Sequence, residues 1–137
     1  MSTYLEHPSL LPQTVEKRLF QMDLAATALK ASSLIVVPTG LGKTVIALMV
    51  LLARMDKGRV LFLAPTKPLV EQHAAFLERV LKEGKMVAML TGESPPEKRV
   101  ESWQNSRILV STPQVIENHH LSRRIDLADV SLVIFDE

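Results

Sequence analysis

Between a short apolar run and a longer apolar-rich segment stands Gly40-Leu41-Gly42-Lys43-Thr44, the stretch that most restricts what this chain can fold into. Ser33–Val37 ahead of it is β-branched and has no polar face, the pattern of a strand buried on both sides. After the turn Pro38-Thr39-Gly40-Leu41-Gly42, Lys43–Arg54 reads as an apolar-rich helix ending near Lys57-Gly58. A strand, a glycine turn and a helix in that order place several backbone N–H groups around one point. The glycines let them approach an anion without an intervening Cβ, and the helix N-terminus adds its unpaired donors and dipole. Lys43 then reaches the β and γ phosphates of a nucleotide as a point charge, and the Thr44 hydroxyl is placed to ligate Mg²⁺. The strict phosphate-loop pattern has a further glycine where this chain has Val37. A glycine-rich turn with a solvated lysine is the bland alternative, and the flanking strand and helix weigh against it.

The alternation continues. Val60–Ala64 reads as a strand stopped by Pro65, and Leu69–Leu81 as an amphipathic helix closed by Lys82-Glu83-Gly84. Met86–Leu90 is a strand, Glu97–Trp103 a short helix after Pro95-Pro96, and Arg107–Val110 a strand. A helix covers Pro113–Asn118 and a strand Ser131–Phe135. Upstream, Pro8 and Pro12 bracket an irregular entry, and Thr14 is placed to cap a helix over Val15–Leu29. Strand and helix in turn predict an α/β fold, a mostly parallel sheet with helices on both faces. Ligands of such sheets bind at the carboxyl ends of the strands.

Ile134-Phe135-Asp136-Glu137 puts two carboxylates at one such end. Beside a Mg²⁺–triphosphate site, an aspartate there holds the metal and the next glutamate orients or deprotonates water. Without the phosphate loop, two acids after a strand would be read as a solvated chain end.

A formal net charge of +1 gives no bulk electrostatic grip on nucleic acid. The absence of cysteine excludes disulfides and thiolate metal sites. The longest apolar runs, such as Val45–Ala53, are too short to span a bilayer, and Met1–Pro8 lacks a signal-peptide pattern, so a cytoplasmic location is expected. His119-His120 is expected in a solvent-exposed turn rather than at a metal, His73 as a structural residue, and Arg123-Arg124 as a solvated pair. Trp103 is expected to anchor its helix, and the methionines to fill the core.

Read together, these segments resemble the ordered motifs of superfamily-two helicases. Pro38–Thr44 resembles motif I, Ala64-Pro-Thr-Lys-Pro-Leu-Val70 motif Ia, Leu90-Thr-Gly-Glu93 the TG motif, and Ser111-Thr-Pro-Gln-Val115 motif Ib. Asp136-Glu137 opens motif II, and Arg18-Leu-Phe-Gln21 resembles the adenine-reading segment. The wording is most similar to archaeal Hef helicases, relatives of the Fanconi anaemia M translocase.

The resemblance implies a RecA-like P-loop NTPase fold, with ATP and Mg²⁺ as cofactors. Gln21 would read adenine with Arg18 and Phe20 nearby, and Thr39, Gly40, Leu41, Gly42, Lys43 and Thr44 would hold the nucleotide. Thr44 and Asp136 would serve the metal, with Lys43, Asp136 and Glu137 catalytic. Thr66, Lys67, Thr91, Gly92, Thr112 and Gln114 would touch one nucleic-acid strand through its phosphates, contacts that carry no sequence code. Read without the resemblance, Thr66 and Thr112 are helix N-caps and Lys67 a surface lysine.

The implied function is an ATP-dependent helicase or translocase on forked or branched DNA, with RNA as a possible track. A restriction-type, chromatin-type or RNA-sensing motor and a non-catalytic nucleotide-binding module are the alternatives. The chain is expected to be a partial first RecA-like domain, residues 1–137, truncated after the motif II strand and without motif III or a second domain. That leaves a gap beside the motif II strand, or a direct pairing with the phosphate-loop strand. Alone, the chain is expected to bind ATP weakly and not to turn it over.

Overall fold

The computed structural model describes residues 4–16, 43–83 and 86–135. The expected strand Ser33–Val37, the adenine segment, the loop up to Gly42, the Lys43 side chain, and Asp136 and Glu137 lie outside the described residues.

In chain order the described elements are α1 (Lys43–Arg54), β1 (Arg59–Leu63), α2 (Lys67–Val80), β2 (Val87–Leu90) and α3 (Pro96–Asn105). Then follow β3 (Ile108–Ser111), α4 (Pro113–Leu121), a 3-10 turn over Leu127–Asp129 and β4 (Val130–Phe135). The strands form one sheet in the order β2-β3-β1-β4, and every pairing is parallel. The connection from β1 to β2 passes over β3, and that from β3 to β4 passes over β1.

Side chains alternate across the sheet as strand geometry requires. Val60, Phe62, Val87, Ile108 and Val110 share a core with Leu48, Leu51, Leu52 and Met55 of the α1 segment and Val70, Ala74, Leu77 and Val80 of α2. Leu61, Leu63, Leu90 and Leu109 form a second core with Trp103 of α3, Val115 and Ile116 of α4, and Ile125. Helices therefore cover both faces. The moves in the two directions along the sheet run over opposite faces, as a single crossover hand demands.

The amino ends of the strands are clamped by Arg59. Its Nε donates to the Trp103 carbonyl at 2.8 Å and its Nη2 to that of Gln104 at 3.3 Å, while Nη1 pairs with Asp129. The guanidinium also lies 5.5 Å from the centre of the Trp103 ring, which is 4% exposed. Trp103 is thus the packed anchor its sequence context implied, and one arginine ties α3 to the entry of β4.

Differences from the sequence reading have local causes. Val15 and Glu16 are not helical, and the rest of the expected helix, up to Leu29, lies outside the described residues. The Leu5 amide donates to the Val15 carbonyl at 2.7 Å, and Tyr4 and Glu16 form an antiparallel bridge. The Thr14 hydroxyl donates backwards to the Leu11 carbonyl. This entry segment is pinned to the end of α2, where Leu11 donates to Val80 and Lys82 to Ser9. α2 itself starts two residues before Leu69, because Pro68 fits a first helical turn, where no N–H partner is needed. Methionines are only partly core, with Met55 buried and Met89 exposed.

Candidate functional site

The carboxyl ends of β1, β2 and β3 each lead, within a few residues, into a helix that begins with proline in its first turn. Leu63 and Leu90 flank Ser111 in register, and the Ala64 amide donates to the Ser111 carbonyl at 3.0 Å. By strand order the threonines after these ends form a row, Thr91, Thr112, Thr66, the first two directly after their strands and Thr66 three residues past Leu63.

Thr66 and Thr112 stand at the N-cap positions of α2 and α4 with extended backbones, yet neither side chain makes a capping hydrogen bond. An N-cap threonine ordinarily turns its oxygen onto the N–H groups of its own helix. Here neither hydroxyl does so, with Thr66 exposed and Thr112 half-buried. Gln114 is exposed in the first turn of α4.

Thr91, Gly92, Glu93 and Ser94 form a turn closed by the Ser94 amide on the Thr91 carbonyl at 3.3 Å, with the two hydroxyl oxygens 3.5 Å apart. Among the described residues a Cβ placed on Gly92 would meet nothing within 4 Å, and its backbone is not left-handed. Nothing among those residues requires glycine there. What the missing side chain leaves open is approach from outside.

Lys67 is held by two carboxylates. Its Nζ lies 2.6 Å from Glu93 and 3.8 Å from Glu71. The Glu93 hydrogen bond and charge, with Glu71 adding, keep the ammonium above its ordinary pKa, so it is charged at any physiological pH.

Thr44 is half-buried in the first turn of α1. The Ser131 hydroxyl donates to the Arg54 carbonyl at 3.1 Å, fixing the end of α1 beside the start of β4. About ten helical residues, roughly 15 Å, separate Arg54 from Thr44, and about four strand steps, roughly 13 Å, separate Ser131 from Phe135. With α1 lying along the sheet, Thr44 therefore stands level with the carboxyl end of β4, directly after which Asp136 and Glu137 follow in sequence. A hydroxyl at that level fits a shared Mg²⁺–nucleotide site.

His119 corrects the sequence reading. It is 1% exposed within α4, not in a solvated turn, while His120 is exposed as expected. Both His119 ring nitrogens and Arg99 Nε are buried without a hydrogen-bond partner. Burial first, then the charges of Arg99 and Arg124, push its pKa below the usual 6.5. The signal was present in the sequence, since Val115, Ile116 and His119 recur at helical spacing and share one buried face. His73 is buried against the Phe62 ring at 4.6 Å between centroids. Among the described residues no group of histidines and acids could hold a metal, and no helix is long and apolar enough to cross a membrane.

Comparison with known proteins agrees with this arrangement. A Methanocaldococcus jannaschii protein, provisionally named an ATP-dependent RNA helicase (MJ1505), is 47% identical over 98% of the chain, which spans 18% of that protein. The Fanconi anemia group M protein homolog of Mus musculus is 35% identical over 93% of the chain, which spans 6% of it. In three dimensions the Hef helicase domain of Pyrococcus furiosus superposes with a TM-score of 0.84 at 48% identity, over 88% of this chain and 26% of that one. That likeness carries the RecA-like fold. The DEAD/DEAH box helicase family model matches residues 18–137, and the chain belongs to that family.

Proposed function

We propose that this chain forms the ATP-binding part of an ATP-driven DNA helicase or translocase of the Hef and Fanconi anaemia M type, acting on forked or branched DNA. The observation that carries the nucleic-acid half of this reading is the row Thr91, Thr112, Thr66, with uncapped helix ends and an unobstructed Gly92 beside it. Hydroxyls and helix N-termini bind phosphates without needing net positive charge, which accounts for a motor with a formal charge of only +1.

Bound Mg²⁺–ATP would supply an activated phosphoryl group for transfer to water. Toward it, Lys43 would neutralise the terminal phosphates, and the backbone of Thr39, Gly40, Leu41 and Gly42 would cradle them. Thr44 and Asp136 would hold the metal, and Glu137 would orient and deprotonate the water. Arg18, Phe20 and Gln21 would position and read the adenine. Arginines from a second RecA-like domain would complete the site, an effect typically worth about 10³ to 10⁵ in rate.

The test is ATP hydrolysis by the whole protein with single-stranded, forked and duplex DNA, and with the matching RNA. Lys43→Ala should abolish stimulated hydrolysis, and Glu137→Gln should retain nucleotide while turning over slowly. Full ATPase activity in Lys43→Ala would end the motor reading. The RNA helicase name of the Methanocaldococcus jannaschii relative makes RNA the second track to test, and stronger stimulation by RNA would select it.

A further inference from the structure

Lys67 opens α2 after β1 and Glu93 lies in the turn after β2, two strands that are not neighbours, because β3 runs between them. Their ion pair therefore ties the start of α2 to the turn after β2, two segments that enter from strands on either side of β3. Thr112 follows β3, the strand between them. The pair joins the neighbour of Thr66 to the turn that begins at Thr91, two of the threonines that the proposed function assigns to the nucleic-acid backbone.

We propose that Glu93 is a specificity-determining residue of the nucleic-acid interface: its carboxylate holds Lys67 in the free protein and must be displaced by a strand phosphate on binding. This rests on the reading of Lys67 and the threonine row as a phosphate track. A carboxylate and a phosphodiester both offer anionic oxygens to an ammonium, so the exchange keeps Lys67 paired throughout. The exchange is accessible, since the Glu93 side chain is 75% exposed and that of Lys67 42%. Glu93 rides on a four-residue turn, beside Gly92, so it can swing out while Thr91 keeps its place at the end of β2. Glu71, at 3.8 Å from Lys67 one helical turn along α2, remains as the second partner.

The physical consequence is selectivity by competition. An isolated phosphate contact is too weak to replace Glu93. A continuous strand that also engages Thr91, Thr112 and Thr66 replaces it cooperatively. Weak, non-productive encounters with short or discontinuous anions are thereby suppressed.

The experiment is a double-mutant cycle read by fluorescence anisotropy with a fluorescein-labelled oligo(dT) strand, across a series of salt concentrations. The variants are Glu93→Gln, Lys67→Ala and the combination, each checked for an unchanged far-UV spectrum. Glu93→Gln is expected to tighten binding about two- to fivefold, the range an exposed ion pair supports. Lys67→Ala should weaken binding and lower the slope of log K against log salt by about 0.7, the single-strand value for one phosphate contact. In the Lys67→Ala background the Glu93 substitution should have no effect. Equal tightening in both backgrounds would mean that Glu93 merely repels the strand, and no tightening would mean that it does not compete; either overturns the proposal. If Lys67→Ala leaves affinity and slope unchanged, the phosphate-track reading itself fails, a result separable from the other two.

Discussion

Gly58→Ala would probe how closely the strand that leads to Asp136 and Glu137 is packed at its origin. Gly58 is buried between the end of α1 and the start of β1, and its backbone is not in the left-handed region. Conformational freedom therefore does not explain the glycine. A Cβ at this position would lie 2.4 Å from the Asp129 carbonyl oxygen, 3.2 Å from the Ser131 Cβ and 3.3 Å from the Ser131 amide. The obstruction is backbone and cannot rotate away. It is also held, because Asp129 pairs with Arg59, the Ser131 hydroxyl donates to the Arg54 carbonyl at 3.1 Å, and the β1–β4 register already shifts between Arg59 and Val60.

The entry of β4 must move away by roughly half an ångström or more before the contact becomes tolerable. Forced overpacking of this kind costs about 1–3 kcal/mol. Replacing glycine also restricts the unfolded chain, which returns about 0.4–1 kcal/mol. A net loss of about 1–2 kcal/mol follows, or roughly 3–10 °C in the melting midpoint for a chain of this size. Urea unfolding followed by far-UV circular dichroism measures it directly, with the midpoint falling and the slope unchanged. A midpoint equal to that of the parent would show that β4 enters the sheet with slack, and the close approach of Gly58 to Asp129 would have to be abandoned.

Thr66→Ala and Thr112→Ala should each cost less than about 0.5 kcal/mol of stability, against about 1 kcal/mol for a working N-cap, while weakening oligo(dT) binding by roughly two- to tenfold. A loss of stability with affinity intact would return both residues to the role of caps. His119 should impose an acid-side loss of stability. Its folded pKa lies below 6.5, so the folded chain binds fewer protons there than the unfolded chain does. Its contribution is complete above about pH 6.5 and shrinks as pH falls from there toward the folded pKa, by at most about 1.4 kcal/mol per pH unit. His119→Leu should flatten the unfolding profile between pH 7.5 and 5 and leave stability at pH 7.5 equal or higher, because two unpartnered ring nitrogens are removed. Parallel profiles for parent and variant would refute a buried, neutral imidazole.

The sequence by itself determined the local elements and the class of fold. Lys43–Arg54 is a helix with the bounds its apolar pattern implied, and the strands β1 to β4 each lie within a residue of their expected positions. Period and punctuation are properties of neighbouring residues, so they can be read from neighbouring residues. The ordered motifs also placed their candidate residues at strand ends, because a loop after a buried strand emerges where the strand stops.

Only the tertiary structure decided which strand ends are adjacent. The order β2-β3-β1-β4 is set by crossovers that bury both sheet faces, and no local pattern encodes it. From that order come the row Thr91, Thr112, Thr66 and the pairing of Glu93 with Lys67, two residues 26 positions apart in sequence. The same holds for groups whose role depends on a partner element. Thr14 read as a cap, and its hydroxyl found an acceptor in Leu11, while Val15–Glu16 looked helical until Tyr4 and Leu5 paired with them. His119 looked solvated until its helix turned that face inward against the second core. Hydrogen bonding and burial are settled by what a residue meets, and what it meets is decided by distant parts of the chain.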